Sequence, residues 1–458
     1  MKSTLNLIDT HCHLEMPEFD HDRDSVIERA KQAGISAIIT IGSDTHSNEE
    51  AIRLSEKYDI IYCSIGIHPH ETKLFTEDIY KKLKEWATHK KVVAVGETGL
   101  DYHYMNSPKE VQKEVFRCHI ELAREKTLPL VVHSREAKID TLSILKESGI
   151  TKGVVHCFSG DMEMAEAVME MGFYISIAGP VTFKNAKRLH EIVKAVPDEY
   201  LLIETDAPYL TPEPLRGKRN EPSYIVHVAE EIARLKEVSP EDVARITTLN
   251  AKRLFGIGAI KEEGTIAYKI RDSLYLNITN RCTNQCSFCI RFHSDYVKGH
   301  KLRLKDEPAI EELKSAIGKP DIYKEVVFCG YGEPFLRLDV IKEVSSWIKK
   351  NRGRVRVNTN GHGNLIHGRN ILPELKGIVD ALSVSLDAHD EKTYEELCKP
   401  AFKGAFRAVM DFIKEAVKYI PDVEATAIEI DGIDIEKCRE ITEGLGARFR
   451  TRKLHVVG

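Results

Sequence analysis

Cys282, Cys286 and Cys289, separated by three and then two residues, form the tightest group among the ten cysteines of this 458-residue chain. They follow an apolar run, Leu274 to Thr279, where the chain turns into an Asn-Arg-Cys loop. Three thiolates from one loop can converge on a single metal centre. A tetrahedral zinc or a four-thiolate iron–sulfur cluster would draw in a fourth ligand, and Cys329, at the end of a predicted strand, is the later cysteine in a suggestive place. Three ligands alone would leave one iron of a [4Fe–4S] cluster open to a small molecule. Phe288 and Ile290, on either side of Cys289, would wall such a site with apolar surface.

The first half of the chain carries a different set. His11, His13, His68, Glu97, His133, His156, Glu204 and Asp206 each stand at or just beyond the end of a short apolar run. Imidazoles and carboxylates in this mixture can hold divalent cations. A bridging glutamate would bring two of them within about 4 Å, close enough to activate a water and neutralise a phosphoryl oxygen together. His11 and His13, two apart in an extended segment, direct both rings to one side. A single strand-end histidine is usually a packing or hydrogen-bonding residue, but five of them with three carboxylates point jointly to a metal site. Cys12 and Cys157 alternate away from the ligand positions and are expected as packing thiols.

These residues need parallel strands to bring them together. Predicted strands at Leu5–Asp9, Ala37–Ile41, Ile61–Ile65, Val92–Val95, Leu130–Val132, Gly153–His156, Tyr174–Ile177 and Leu201–Ile203 are nearly continuous apolar runs, as expected of strands covered on both faces. Helical patterns such as Asp24–Ala33, Asn48–Lys57 and Ala165–Met171 separate them, and Pro240 opens a last helix that ends at Gly256. The fold class is α/β, and a closed (β/α)8 TIM barrel over residues 1–256 is the economical reading. A linker is expected at 257–272. The alternation then restarts at Leu274–Thr279, Glu325–Cys329, Val355–Asn358, Ala381–Ser385, Glu424–Ile428 and Leu454–Val457. Six units over 273–458 suit a partial (β/α)6 barrel, with an open sheet as the alternative.

Several segments of the first half resemble the TatD family of metal-dependent hydrolases: Asp9-Thr-His-Cys-His13, Gly66-Ile-His-Pro-His70, Gly96-Glu-Thr-Gly-Leu-Asp-Tyr102, His133-Ser-Arg-Glu136, His156-Cys-Phe-Ser-Gly160 and Glu204-Thr-Asp-Ala-Pro-Tyr-Leu210. The resemblance implies that His11, His13, Glu97 and Asp206 bind one divalent metal (Mg, Mn or Zn) and Glu97, His133 and His156 a second. His68 and Glu204 would serve a third metal or orient the ligands. It implies phosphodiester hydrolysis, with DNA ends or nucleotides as substrate. In that reaction Asp206 is a candidate to take the proton of the attacking water, and Arg135 could clamp a phosphate with its guanidinium fork. Arg216 and Arg219 could reach the same cleft or make ordinary surface salt bridges.

The pattern Cys282-x3-Cys286-x2-Cys289 resembles the radical S-adenosylmethionine (SAM) superfamily. Gly330-Tyr-Gly-Glu-Pro334, Asn358-Thr-Asn-Gly361 and Ser383-Val-Ser-Leu-Asp387 follow in the order of that superfamily's SAM-binding segments. The resemblance implies a [4Fe–4S] cluster on the three cysteines and SAM held near Phe288, Gly330, Gly332, Glu333, Pro334, Asn358, Ser383, Ser385 and Asp387. The reduced cluster would cleave SAM to methionine and a 5′-deoxyadenosyl radical, which abstracts a hydrogen from a substrate. Tyr331 departs from the commoner three-glycine form, a change the loop should tolerate if the side chain points out of it. Cys329 is expected as a packing thiol rather than a radical relay, and Cys398 and Cys438 as isolated. The two halves together resemble radical SAM proteins associated with TatD-family nucleases, here joined in one polypeptide.

Composition bounds these readings. The chain is 30% charged with a formal net charge of −5, so bulk electrostatics advertise no nucleic-acid binder and no long basic stripe tracks a duplex. No run is long enough to span a membrane, and grouped thiols among scattered ones suit a reducing cytoplasm. A flavodoxin- or ferredoxin-like reductant is the expected electron donor. The leading expectation is a bifunctional metal-dependent phosphodiesterase and radical SAM enzyme whose radical substrate is nucleotide-related. The alternatives are an ester or amide hydrolase joined to a peptide-modifying radical domain, and a hydrolase regulated by a non-catalytic SAM-binding module.

Overall fold

The computed structural model describes residues 5–260 and 262–453 and divides into two compact units, 1–260 and 261–458. In the first unit eight strands pair in chain order: β1 (Leu7–Cys12), β2 (Ile35–Ile41), β3 (Ile61–Ile65), β4 (Val92–Asp101), β5 (Leu130–Arg135), β6 (Gly153–Val155), β7 (Phe173–Ile177) and β8 (Leu201–Ile203). Every pairing is parallel, with a helix or helical turn between most neighbours. The sheet approaches closure: Asp206 N donates to His11 O at 2.9 Å and His13 N to Ala207 O at 2.7 Å. Thr205 reinforces this seam by donating its amide and hydroxyl to the two Asp9 oxygens, at 2.9 and 2.6 Å. The result is a TIM-barrel-like near-barrel.

Continuous apolar strands serve two cores at once. Ile38, Ile61, Val95 and Val132 join the larger cluster beneath the helices, whereas Ile39, Val93, Val131, Val154 and Leu202 join a smaller one that includes Leu254 and Phe255 of the helix Pro240–Phe255. That alternation requires apolar residues at consecutive positions, which is why the runs lack a polar face. Three strands run further than their apolar character indicates. β1, β4 and β5 continue through His11, Glu97–Asp101 and His133, so these polar residues lie within strands rather than after them.

The second unit holds a mixed seven-stranded sheet in the order β17-β16-β15-β14-β13-β10-β9. Here β9 is Ala267–Ile270, β10 Ser273–Leu276, β13 Val326–Phe328, β14 Val355–Thr359, β15 Ala381–Ser385, β16 Asp422–Glu429 and β17 Arg448–Lys453; β11 (Tyr296–Val297) and β12 (His300–Lys301) form a separate hairpin. Six strands are parallel, and β9 adds antiparallel to β10. The stretch 257–272 therefore carries a paired strand where a plain linker is expected; short, mixed Ala-Tyr-Lys-Ile gives little strand signal. The expected strand Leu454–Val457 lies outside the described residues, and the last described strand is instead β17, whose alternating arginines mask its character. Among the described residues no helix is long and apolar enough to cross a membrane.

Candidate active sites

In the first unit all eight expected ligand residues come from the C-terminal ends of the strands or the segments just beyond, the rim where parallel barrels place reactive groups. Glu97 is the hub. Its Oε1 lies 2.7 Å from His133 Nδ1, 2.7 Å from His156 Nε2 and 3.4 Å from His68 Nε2. Its Oε2 lies 3.3 Å from His11 Nε2 and 3.9 Å from His13 Nε2. Asp206 Oδ1 sits 3.6 Å from both of these nitrogens, so the two rings do face one way. The carboxylate thus divides the cage into a His11–His13–Asp206 side and a His68–His133–His156 side.

Local backbone makes this possible. Gly96, at φ +134°, lies so close to β5 that a Cβ would stand 2.3 Å from Val131 O. Only glycine fits there, and the fit lets β4 deliver Glu97 into the cage. On the other wall, the β1–β8 seam sets His11 and His13 against Asp206.

The electrostatics follow from crowding. Burial by itself would raise the Glu97 carboxyl, but the fields of His156 and His68 and hydrogen bonds from His11 and His133 hold it well below the usual carboxylate range. Burial opposes charge on His13 and His156, yet Glu15 with Asp206, and Glu97 with Glu204, push these imidazoles well above their ordinary value. His68 goes the other way, down to about 4, because burial outweighs Glu97.

Divalent metals fit this arrangement. His11 Nδ1, His156 Nδ1 and Glu204 Oε2 are buried without a hydrogen-bond partner, and among the described residues three sets meet ligand spacing: His11–Glu97–His156, His11–His13–Asp206 and His68–Glu97–His133. Orphaned donors and acceptors of this kind cost free energy unless something binds them. Supporting contacts are also present. His13 Nδ1 lies 3.1 Å from Glu15 Oε1, Glu15 Oε2 accepts from the Thr40 hydroxyl at 2.6 Å, and Glu204 Oε1 accepts the Cys157 amide at 2.6 Å.

One supporting residue is absent from the expected ligand set. Asp101 Oδ2 lies 3.1 Å from both His133 Nε2 and His70 Nε2, and Oδ1 caps the following loop by accepting from His103 N and Tyr104 N at 3.0 and 2.8 Å. It lies within the quoted Gly-Leu-Asp-Tyr segment, but only the run of β4 through residue 101 turns it toward His133. Asp101→Asn keeps an acceptor for the two amides and removes the anion behind His133. It is expected to weaken divalent-metal affinity about 10–100-fold, measured by Mn2+ titration; an unchanged affinity would reduce Asp101 to a loop cap.

The three arginines separate. Arg135 has no ion pair among the described residues and stacks its guanidinium 4.7 Å above the Tyr104 ring. Arg219 pairs with Asp22 at 2.8 Å, the surface salt-bridge role, and Arg216 lies over Phe183. Cys12 is a buried core thiol, as expected, while Cys157 is only half-buried.

In the second unit the cysteine loop is clamped from two sides. Gln285 N donates to Cys398 O at 3.0 Å and Ser287 N to Leu397 O at 2.8 Å. Opposite, Glu333 N donates to Arg281 O at 2.8 Å, and a Cβ on Gly332 would stand 2.2 Å from that same oxygen. The Gly-Tyr-Gly-Glu segment therefore grips the base of the loop through backbone approach. Tyr331 does turn out of it, into a satellite cluster with Tyr268, Tyr275 and Leu302, donating its hydroxyl to Ser294 O at 2.9 Å.

Donors surround the thiols. Asn284 N points to Cys282 Sγ and Arg291 Nε to Cys289 Sγ, both at 3.4 Å, and Asn360 Nδ2 lies 3.8 Å from Cys282 Sγ. Arg291 lies in the field of all three thiols. Donors aimed at sulfur suit an anionic thiolate cluster, so the residues fit the iron–sulfur group. Without a metal, burial and then Glu333 push the Cys282 thiol up to about 12. Glu333 is itself pushed up to about 7 by burial, although it accepts from Phe335 N, the Thr359 hydroxyl and Asn360 N.

One expectation needs correction. Cys398 is not isolated: its carbonyl accepts the Gln285 amide at 3.0 Å, and its thiol lies near enough to Cys286 to lower that thiol's pKa. Sequence separation hides this contact. Ser383 donates to Glu424 Oε1 at 2.9 Å, and Asp387 accepts two bonds from Arg452, at 2.9 and 3.0 Å, so both expected SAM contacts have protein partners supplied by neighbouring strands. Ser385 is half-buried on β15, Asn358 has a buried, unpartnered Oδ1, Pro334 opens a helical turn, and Phe288 packs on the main core. Cys329 packs against the satellite tyrosine cluster.

Residues 8–256 match the family described as TatD related DNase, and residues 276–443 match the radical SAM superfamily. YabD of Bacillus subtilis, described as an uncharacterized metal-dependent hydrolase, is 52% identical over 253 residues, covering 55% of this chain and 99% of that protein. YcfH of Escherichia coli, described in the same words, is 41% identical over 260 residues, covering 55% and 97%. Among solved structures, YjjV, a TatD homolog from Escherichia coli, superposes with a TM-score of 0.53 at 30% identity, covering 55% of this chain and 98% of that one.

Proposed function

The chain belongs to the TatD-related DNase family through residues 8–256, joined to a radical SAM domain, and from that premise we propose a bifunctional enzyme. The first unit hydrolyses phosphodiesters at DNA ends. The second generates a 5′-deoxyadenosyl radical that acts on a nucleotide-related substrate. The observation that carries the hydrolase reading is the division of Glu97, one oxygen toward His133 and His156 and the other toward His11 and His13.

On this reading His11, His13, Glu97 and Asp206 hold one divalent metal, and Glu97, His133 and His156 the other. Bound metals would supply Lewis-acid stabilisation of the phosphoryl oxygens and a more acidic water. Asp206 accepts the proton of the attacking water, from a position already 3.6 Å from two ligand nitrogens. Arg135, free of ion pairs among the described residues, binds a phosphate oxygen and neutralises its charge. Glu204 fixes the segment after β6 through the Cys157 amide and so sets His156.

In the second unit Cys282, Cys286 and Cys289 hold the cluster, and Arg291 and Asn360 donate toward their sulfurs. When bound, the cluster supplies the electron that cleaves SAM. Glu333 and Gly332 keep the loop in place. A small flavodoxin- or ferredoxin-like protein is the proposed reductant.

Both activities are tested on one preparation. Single-stranded oligonucleotide cleavage should need added Mn2+ or Mg2+ and stop with chelator. Anaerobic reconstitution with SAM and dithionite should yield 5′-deoxyadenosine. Cleavage of an ester panel without cleavage of DNA would replace the hydrolase reading; SAM bound but uncleaved would replace the radical one.

A further inference from the structure

The cysteine loop of the second unit is flanked by the segment that joins the helices Glu391–Cys398 and Ala405–Tyr419. Three backbone bonds sew the two together: Ser287 N to Leu397 O at 2.8 Å, Gln285 N to Cys398 O at 3.0 Å and Ala401 N to Thr283 O at 2.8 Å. Between them lies an open recess of about 410 Å3, with Cys282, Thr283 and Gln285 on the loop side and Lys399, Phe402 and Lys403 on the other. The loop side is stiff. The Thr283 hydroxyl lies 2.9 Å from Nδ1 of the buried His362, and His362 Nε2 lies 3.1 Å from the Tyr394 hydroxyl. Phe402 is half-buried, its ring edge-on to His362 at 5.8 Å between centroids.

Lys399 and Lys403 are exposed and make no ion pair among the described residues, and neither does Arg407 in the first turn of the following helix. Glu395 is the acidic residue of the lining, so two lysines against one glutamate leave the recess positive. Gly404 caps the helix Ala405–Tyr419, and the positive end of its dipole adjoins Lys403. The recess reaches Cys282, the first of the three cluster thiols. Among the described residues none of Gly330–Pro334, Asn358 or Ser383–Asp387 lines it, so it is separate from the expected SAM site. Electron transfer between proteins falls steeply with distance, and a carrier therefore has to seat beside a cluster ligand. A positive rim with an aromatic ring inside it matches an acidic carrier that presents a planar flavin edge.

Resting on the radical SAM reading, we propose that this recess is the docking face of an acidic, flavodoxin-like electron carrier, held by Lys399 and Lys403 with its flavin edge toward Phe402 and Cys282. One electron crosses the interface. The reduced flavin is oxidised by one electron, the oxidised cluster is reduced by one, and no proton or group moves with it. Encounters of this kind bury little area and depend on charge, so the lysines should govern association.

The test uses the full-length chain with its cluster reconstituted anaerobically, and a flavodoxin as the probe. Oxidised flavodoxin should bind the wild type saturably by calorimetry at low salt, and more weakly as salt rises. Lys399→Glu combined with Lys403→Glu should weaken that binding about tenfold or more and flatten its salt dependence. The corresponding double Arg variant should keep both. Formation of 5′-deoxyadenosine driven by reduced flavodoxin should fall by a similar factor in the double Glu variant. Formation driven by dithionite, a small reductant that needs no docking, should not change. Unchanged flavodoxin binding would overturn the proposal, and an equal fall with dithionite would make the lysines structural and overturn it too. So would a ferredoxin that binds where flavodoxin does not, or self-association through these lysines without flavodoxin binding. A wild type that makes no 5′-deoxyadenosine with dithionite defeats the radical SAM reading itself, and the proposal with it.

Discussion

Glu97→Ala is expected to lower metal-dependent phosphodiester hydrolysis by about a thousandfold or more, the loss of roughly 4 kcal/mol of barrier stabilisation. The size follows from its position. Among the described residues, Glu97 is the one carboxylate within 4 Å of five imidazoles, those of His11, His13, His68, His133 and His156. Removing it deletes a ligand from both proposed metal sites and the one carboxylate that the surrounding imidazoles share. Elemental analysis should show metal content falling with activity. Glu97→Gln, which keeps the shape but not the charge, should fall nearly as far, because the surrounding rings hold the native group ionised. A rate within a few fold of wild type would remove Glu97, and with it the two-sided cage, from the mechanism.

The second large effect is expected from the cysteine loop. Replacing Cys282, Cys286 or Cys289 with Ala should reduce both iron content and 5′-deoxyadenosine formation to background in anaerobic preparations. Cys329→Ala should retain both, since that thiol packs in the satellite cluster against tyrosines. The contrast separates a three-thiolate cluster with an open iron from a four-thiolate site. If Cys329→Ala lost the cluster and a triad variant kept it, the ligand assignment would have to be redrawn.

The legible parts of this protein are those that backbone periodicity controls. Apolar runs separated by helical stretches are enough to specify parallel strands, and parallel strands bring their C-terminal ends to one rim. His11, His68, Glu97, His133, His156 and Asp206 could therefore be read as neighbours although up to 195 positions separate them, from residue 11 to residue 206. The cysteine loop was equally readable, because its ligands are local. The short, mixed strand β9 and the arginine-rich β17 were not, since strand character there comes from pairing with β10 and β16 rather than from composition.

By itself, then, the sequence determined which residue types meet and at which end of which strand. Only the tertiary structure decided what each of them faces. It divides Glu97 between two sets of imidazoles, puts Asp101 behind His133 and His70, sets Arg291 among the thiols and Cys398 against Cys286, and pairs Asp387 with Arg452. Side-chain contacts between elements distant in sequence depend on register and on backbone approach at positions such as Gly96 and Gly332, where atoms a few ångströms apart are set by the whole sheet. Local pattern carries no information at that scale, and that is the scale on which candidate ligands and their second neighbours are told apart.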